Sequence, residues 1–400
     1  MITLCFTIGF SALVLSTIPI AIAMIFCRRI NSALKKTDYG YRPKAALLVP
    51  CKGLDPDFKK NIEALFTQDY PDYEIVFITA TQDDPASPVL EEIIEKNPQI
   101  SSRLVIAGTA TGRSQKVNNQ LRGVREVRED CETLVFVDSD AQPATDFLKN
   151  LVAPLKNLQV GIATGFRWYL PVCGGFSSLL RSTWNGGGVA FLTDRVSNYA
   201  WGGAMAIRKA TFVDCNVISR WENALSDDMT ITQAVREKGL EIQFVPRCLV
   251  AIHEDCSFSE MIEWTNRQTI ISKVYHPKLW QRIAIAHGVI NIILGLGTIL
   301  LAGFLMGMIA DERILLSSIL MLAAIPLEMI NGLFLFPAAK KMMPDHSEKI
   351  RKLVWKYCLM APLASFLVFL NTIYSLFTNR ITWRGIKYEM RSPTETIICR

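Results

Sequence analysis

The chain has 400 residues, half of them hydrophobic, with a mean hydropathy of +0.23. That is too apolar for an ordinary soluble protein, while 20% charged residues are too many for a bare bundle of membrane helices. The net charge of +6 is modest, and no basic stripe interleaved with aromatics marks a nucleic-acid surface, so no nucleic-acid partner is expected.

The first predicted element is the apolar run Ile2–Phe26, longer than the roughly 20 residues needed to cross a bilayer. A cleavable signal peptide fits poorly, because the leading residues lack charge and the run is too long. Arg28, Arg29, Lys35 and Lys36 follow it, which predicts an outside N-terminus and a cytosolic location for the next block. The same cluster suits an anionic leaflet.

Strands are expected at Ala45–Pro50, Glu74–Ala80, Arg103–Ala107 and Thr133–Val137. Helices are expected at Phe58–Phe66 with Asp57 as N-cap, at Val89–Lys96 and at Lys116–Arg128. This alternation implies βαβ units in a parallel, right-handed sheet, whose ligands bind beyond the carboxyl ends of the strands. Pro50-Cys51-Lys52, Gln82-Asp83-Asp84 and Asp138-Ser139-Asp140 all lie at such ends.

The last of these is the most informative. In Leu134–Asp140 an apolar strand stops at two carboxylates, and residues i and i+2 of an extended chain face the same side. Asp138 and Asp140 therefore suit a hard cation, Mg²⁺ or Mn²⁺, that also holds ligand phosphates. An Asx turn accounts for the same residues without a metal.

Further along, Phe166–Phe191 is rich in glycine and aromatics and is expected to be a flap, a segment dipping into the membrane surface, or a plain loop. Trp201-Gly202-Gly203 reads as a glycine turn entering a strand, where backbone approaches a ligand closely. Ser226 caps a helix ending at Gly239; its Asp227-Asp228 pair suits the macrodipole, or supplies a general base. Lys116 is either a diphosphate contact at a helix start or a surface lysine. Glu241–Val245 is another strand, and His253 reads as a satisfied histidine rather than a ligand. Ser257–Arg282, with Trp264 and Trp280, has the composition of an interfacial amphipathic segment.

Three more apolar runs follow: Ala284–Ala310, Ile314–Ala339 and Leu353–Phe377. Four spans starting outside leave the C-terminus outside, yet Arg380, Arg384, Lys387 and Arg391 favour the cytosol. A re-entrant break at Pro326 or Pro362 is one resolution. The ten cysteines are scattered singly with no Cys-x-x-Cys, which argues against zinc and disulfides.

Taken together, Lys52-Gly53-Leu54-Asp55-Pro56, Gln82-Asp83-Asp84-Pro85-Ala86, Lys116-Val117-Asn118-Asn119, Asp138-Ser139-Asp140 and Asp227-Asp228 resemble the ceramide glucosyltransferase family. Those enzymes are related to the inverting family 2 glycosyltransferases. The tail Ile381-Thr382-Trp383-Arg384-Gly385 with Tyr388 resembles the family's C-terminus. The resemblance implies an α/β GT-A nucleotide-sugar domain inserted between one N-terminal and about three C-terminal transmembrane helices. It divides the chain at 1–27, 40–255, 256–283, 284–379 and 380–400, the last a basic tail.

The implied reaction moves a hexose, glucose first, from a UDP-sugar to a membrane lipid hydroxyl of ceramide, diacylglycerol or another lipid alcohol. By position, Asp228 would be the base beside Asp227. Pro50, Lys52, Asp84, Lys116, Asn118, Asn119, Asp138, Gly202 and Gly203 would hold the donor, with Asp138 and Asp140 on the metal. Trp264 and Gln268 would meet the acceptor. The family's Arg/Gln-x-x-Arg-Trp appears as Glu260-Met261-Ile262-Glu263-Trp264, so Arg267 is expected to supply the missing cation. No counterpart of the family's acceptor-region histidine stands in Ser177–Tyr199. A multi-pass protein with a cytosol-facing catalytic domain follows, in a bacterial inner membrane or a Golgi or ER membrane. The rival readings are a processive family 2 polysaccharide synthase, for which three C-terminal spans are too few, and a non-catalytic membrane scaffold.

Overall fold

The computed structural model describes residues 2–35, 40–192, 195 and 198–399; Lys36 lies outside them. In chain order the elements begin with α1 (Ile2–Leu34), β1 (Ala45–Pro50), α2 (Phe58–Leu65), β2 (Tyr73–Thr79), α3 (Ala86–Lys96) and β3 (Ser101–Ile106). Next come α4 (Gln115–Arg125), β4 (Thr133–Val137), α5 (Phe147–Val152), β5 (Val160–Tyr169), α6 (Phe176–Val189) and β6 (Ala204–Arg208). Then follow α7 (Lys209–Asp214), α8 (Val217–Trp221), α9 (Asp227–Glu237), β7 (Glu241–Ile252), α10 (Phe258–Tyr275) and α11 (Pro277–Leu305). The chain closes with α12 (Glu312–Leu322), α13 (Ala324–Met342), α14 (Ser347–Leu376), β8 (Arg380–Trp383), β9 (Ile386–Ser392) and β10 (Glu395–Cys399).

These elements form two compact units, each discontinuous in sequence. A helical unit takes Met1–Asn31, Cys173–Ala190 and Asp255–Thr378; a sheet unit takes Ser32–Val172, Phe191–Glu254 and Asn379–Arg400.

In the sheet unit, Ala-Ala-Leu-Leu-Val of β1 and Thr-Leu-Val-Phe-Val of β4 are buried on both faces, as central strands flanked by helices must be. The main sheet runs β3-β2-β1-β4-β6-β5-β7. Strands β3, β2, β1 and β4 are parallel, as the alternation predicts, but β6 runs antiparallel to both neighbours, so the sheet is mixed. Consecutive strands β1 and β2 are neighbours, while β4 lies on the other side of β1. That reversal opens a crevice at the carboxyl ends of β1 and β4. Below it, Phe136 of β4 packs edge-on to Trp221 and stacks on Phe212, tying the sheet to α7 and α8.

One expectation needs correction here. Asp57 precedes α2 but sits at φ 56 and makes no side-chain cap; its carbonyl instead accepts from the Asn61 amide. Residues 380–399 of the basic tail are folded. β8, β9 and β10 form a three-stranded antiparallel sheet within the sheet unit.

In the helical unit, four helical stretches among the described residues are long and apolar enough to cross a membrane: Thr3–Leu34, Pro277–Leu305, Glu312–Met342 and Pro344–Leu376. The third is broken at Ala323 between α12 and α13, close to Pro326, whereas α14 passes through Pro362 as one helix. The run Phe166–Phe191 is not a loop: it supplies β5 to the sheet unit and α6 to this one, with Gly186-Gly187-Gly188 in the last turns of α6. Trp184 of α6 packs edge-on against Trp264 of α10 at 5.3 Å between ring centres. Leu180, Met261, Ala364 and Leu367 form a small buried cluster joining α6, α10 and α14. Ser257 and Glu260 close a capping box at the start of α10, which gives Glu260 a structural task.

Candidate active site

The crevice is built from the loops at the carboxyl ends of β1, β2 and β4 and from the starts of α4 and α9. After β1, Gly53 at φ 66 donates its amide to Asp84 Oδ1 (2.8 Å), and the same oxygen accepts from the Ala86 amide (3.0 Å). Asp84 thereby locks the β1 and β2 loops together. Asp55 Oδ2 accepts from Ser139 Oγ at 2.7 Å, so the residue between the two aspartates fastens the β4 loop to the β1 loop.

Lys116, in the first turn of α4 behind the N-cap Ser114, is the centre of charge. Its Nζ lies 2.7 Å from Asp138 Oδ1 and 3.3 Å from Asp227 Oδ2. Burial disfavours its charge, but Asp138, Asp227 and Asp228 outweigh burial and hold the ammonium above its usual range. The surface-lysine reading is thus replaced by a buried one. Asp227 is 2% exposed and also accepts from Gln120 Nε2 (2.8 Å); burial pushes its carboxyl up, helped by Asp228 and Asp138 and opposed by Lys116.

Asp228 is less enclosed. Its Oδ2 accepts from the Gly202 amide (3.1 Å), and its Oδ1 from Ser226 Oγ (2.5 Å) and the Met229 amide (2.7 Å). Gly202 and Gly203 have to be glycine. A Cβ on Gly202 would lie 2.2 Å from Asp227 Oδ2, and one on Gly203 would lie 2.7 Å from Asp138 Oδ2. Asp138, Asp140, Asp227, Asp228, Lys116 and the glycine pair therefore converge. Asn118 and Asn119 are nearby but engaged elsewhere. Asn118 Nδ2 donates to Gly108 O (3.0 Å); Asn119, 2% exposed, donates to Ile78 O and accepts from Gln115. Both side chains hold the loops that border the crevice. Pro50 ends β1 beside Cys51, whose amide donates to Ile78 O at 2.8 Å.

The fit to a divalent cation rests on Asp140. Among the described residues its Oδ1 is buried with no hydrogen-bond partner, and its carboxyl is pushed up to about 7, chiefly by burial and then by Asp138 and Asp55. An orphaned acceptor beside two further carboxylates suits a hard cation. Among the described residues, no group of three His, Cys, Asp or Glu is arranged to hold a metal by itself. Asp138 and Asp140 would supply two ligands, leaving the rest to phosphate oxygens and water, and His253 is in no such group.

Two arginines enter that the candidate set omits. Arg384 donates to Asp55 Oδ1 at 2.5 Å, and its carbonyl accepts from Lys52 Nζ at 2.5 Å. It sits at φ 51 beside Gly385 at φ 76, the two central residues of a tight hairpin turn between β8 and β9. Tyr388 on β9 anchors the hairpin by accepting from the Gln115 amide at 3.1 Å. Arg167 of β5 lies over the rings of Tyr169 and Trp201 and lowers the Asp140 carboxyl against its other neighbours. The Trp383-Arg384-Gly385 run is visible in the sequence as a resemblance, but its contact with Asp55 is not; nothing local marks Arg167. Trp264, Arg267 and Gln268 lie on α10 of the helical unit.

The sequence pattern of glycosyl transferase family 21 matches residues 9–396. The chain belongs to that family. Among relatives similar to this family member are ceramide glucosyltransferase 1 of Caenorhabditis elegans, 30% identical over 86 residues, and the ceramide glucosyltransferase of Gibberella zeae, 32% identical over 129 residues. The first match covers 22% of this chain and 18% of that protein, the second 30% and 24%, so the aligned segments span under a quarter of those relatives. Among solved structures, the mannosyltransferase PcManGT of Pyrobaculum calidifontis, in complex with GDP-Man and Mn²⁺, matches at 18% identity and a TM-score of 0.49, covering 93% of this chain and 98% of that one. Glucosyl-3-phosphoglycerate synthase of Mycobacterium tuberculosis, with Mn²⁺ and UDP-glucose, matches at 13% identity and a TM-score of 0.37, covering 62% and 82%.

Proposed function

We propose that this member of glycosyl transferase family 21 is an inverting GT-A enzyme that transfers glucose from UDP-glucose to the hydroxyl of ceramide at a membrane surface. The observation carrying the reading is the meeting of Asp138, Asp140, Asp228 and Lys116 at one strand-end crevice, in a chain that also bears membrane-length apolar helices. Ceramide is preferred over diacylglycerol and other lipid alcohols because the relatives quoted are ceramide glucosyltransferases.

Asp84 and Lys52 border the nucleoside and diphosphate end of the crevice, and Lys116 supplies a buried positive charge to the phosphates. Asp138 and Asp140 would hold Mg²⁺ or Mn²⁺, which as a Lewis acid neutralises the departing diphosphate. Asp228 takes the proton of the attacking lipid hydroxyl. The hydroxyl oxygen bonds to the anomeric carbon as the carbon–phosphate-oxygen bond breaks, its electron pair leaving with UDP. One displacement inverts the centre, as in single-displacement glycosidases. Asp227 positions Lys116 rather than acting on the acceptor, since it is enclosed by Lys116 and Gln120. Trp264, Gln268 and Arg267 on α10 are assigned to the acceptor side.

Mass spectrometry of lipids formed by the purified full chain with UDP-glucose and Mn²⁺, offered ceramide and diacylglycerol in parallel, tests this directly. Glucosylceramide alone is the expected product. In the same assay Asp228→Asn should lower kcat by at least about 10³-fold while UDP affinity stays within a few fold. Full activity in that variant would place the base elsewhere.

A further inference from the structure

Two polar side chains of the helical unit bracket a single turn of α10. Trp184 of α6 packs edge-on against Trp264, and Asn371 of α14 reaches the next two residues, Thr265 and Asn266. Among the described residues, Trp184 Nε1 and Asn371 Oδ1 are both buried without a hydrogen-bond partner. Asn371 as a whole is 2% exposed, so solvent does not stand in for the missing partner.

The kind of partner that each lacks is fixed by its chemistry. An indole nitrogen only donates. At Asn371 the amide orientation follows from Thr265, whose hydroxyl donates to the Met261 carbonyl (3.0 Å) and so must accept from its other neighbour. Asn371 Nδ2 supplies that bond (3.1 Å) and a second one to Asn266 Oδ1 (2.8 Å), which leaves Oδ1 as the unpaired end. One side chain therefore lacks an acceptor and the other lacks a donor.

Their surroundings are apolar. Leu180 of α6, Met261 of α10 and Ala364 and Leu367 of α14 form one buried cluster, with Trp184 packed on its edge. Asn371 stands one helical turn beyond Leu367 on the same helix. Unpaired polar atoms are most destabilising in such surroundings. A ligand that answers both must present a donor and an acceptor close together on a hydrocarbon body. The secondary amide of ceramide has that chemistry: one N–H and one C=O pointing in opposite directions, joined to two hydrocarbon chains. The esters of diacylglycerol have the C=O alone.

We infer that Trp184 and Asn371 recognise the amide of the lipid acceptor: the indole N–H donates to the lipid's amide carbonyl, and Asn371 Oδ1 accepts from the lipid's N–H. The inference rests on the reading of this chain as a ceramide glucosyltransferase and extends it to how the acceptor is chosen. Selection comes from the missing donor, because an ester leaves Asn371 Oδ1 unpaired and sets a second oxygen against it. A site built to pair a substrate N–H rejects the analogue without it far more strongly than an apolar pocket separates two chain lengths.

The test compares ceramide with its ester analogue, in which oxygen replaces the amide N–H with little change of shape. The purified full chain in detergent micelles is given UDP-glucose, Mn²⁺ and each lipid in turn, and kcat/KM is measured for both. The parent should prefer ceramide by about 10²-fold. Asn371→Leu, close to isosteric, should reduce that preference to within about threefold, and Asn371→Ala should do the same. Trp184→Phe keeps a ring against Trp264 and loses the N–H, so KM should rise about tenfold for both lipids with the preference intact. A ratio taken within one preparation does not depend on how much of it is folded. The parent preference persisting in both Asn371 variants, the result if a buried water joins the two atoms, would overturn the inference, as would an unaltered KM in Trp184→Phe. A parent that makes no glucosylated lipid from either acceptor would overturn the reading of the activity and the inference with it.

Discussion

Asp140 is the residue where the cost of the site is concentrated. Its carboxyl ordinarily titrates at 3.8 and is pushed up to about 7 by burial, Asp138 and Asp55. The folded protein therefore binds that proton more tightly than the unfolded chain does. Below about pH 4 the group is neutral in both states and costs nothing; the penalty grows as pH rises through the interval and is complete above about 7. Asp140→Asn removes the titration. Its metal-free melting temperature should match the parent at pH 4 and exceed it by several degrees at pH 8, about 4 kcal/mol. Mn²⁺ should raise the melting temperature of the parent and leave the Asn variant unmoved. Scanning calorimetry at the two pH values, with and without Mn²⁺, checks both; equal curves at pH 8 would mean that Asp140 is not a destabilised carboxylate.

The C-terminal hairpin is the element that turns a set of strand-end loops into an enclosed crevice. It places a guanidinium on Asp55, gives Lys52 a carbonyl and holds the start of α4 through Tyr388. Lys52 and Arg384 are two cations held side by side, and burial together with Arg384 lowers the Lys52 ammonium. Such a pair suits a dianionic diphosphate. Arg384→Ala should weaken UDP binding about tenfold, roughly 1.4 kcal/mol, with Arg384→Lys recovering part of it. Arg391→Ala, on the same hairpin but exposed and paired with Glu395, should leave binding unchanged. Isothermal titration with UDP distinguishes them, and equal affinities in all three variants would remove the hairpin from the donor site.

What the sequence revealed at this scale follows from range. β1 and β4 could be read to the residue because a doubly buried strand is a continuous apolar run, and Ser226 because an N-cap is local. β6 running antiparallel, Arg384 on Asp55, and α6 in a glycine-rich stretch all depend on partners distant in the chain. Glycine has a poor helix propensity, so Gly186-Gly187-Gly188 argues locally for a loop, and packing of α6 overrides it.

At the scale of the whole molecule, the discontinuity of the two units limits what any fragment can be. The stretch 40–254 looks like a self-contained domain in composition, but it lacks β8–β10 and carries α6, which belongs to the helical unit. On α6, Leu180 is buried with Met261, Ala364 and Leu367, Trp184 packs on Trp264, and Ser182 Oγ meets Tyr357 Oη at 3.1 Å. Every one of those partners lies beyond residue 254. A fragment cut there exposes the apolar face of α6 to water, at about 25 cal/mol per Å² of newly exposed apolar surface, and leaves Asp55 without Arg384. The fragment 40–254 should therefore elute from size exclusion as aggregates in plain buffer and become monodisperse only in detergent, with UDP affinity still about tenfold below that of the full chain. A monomeric fragment without detergent would show that α6 can bury its own apolar face, and full UDP affinity would show that the crevice closes without its C-terminal hairpin.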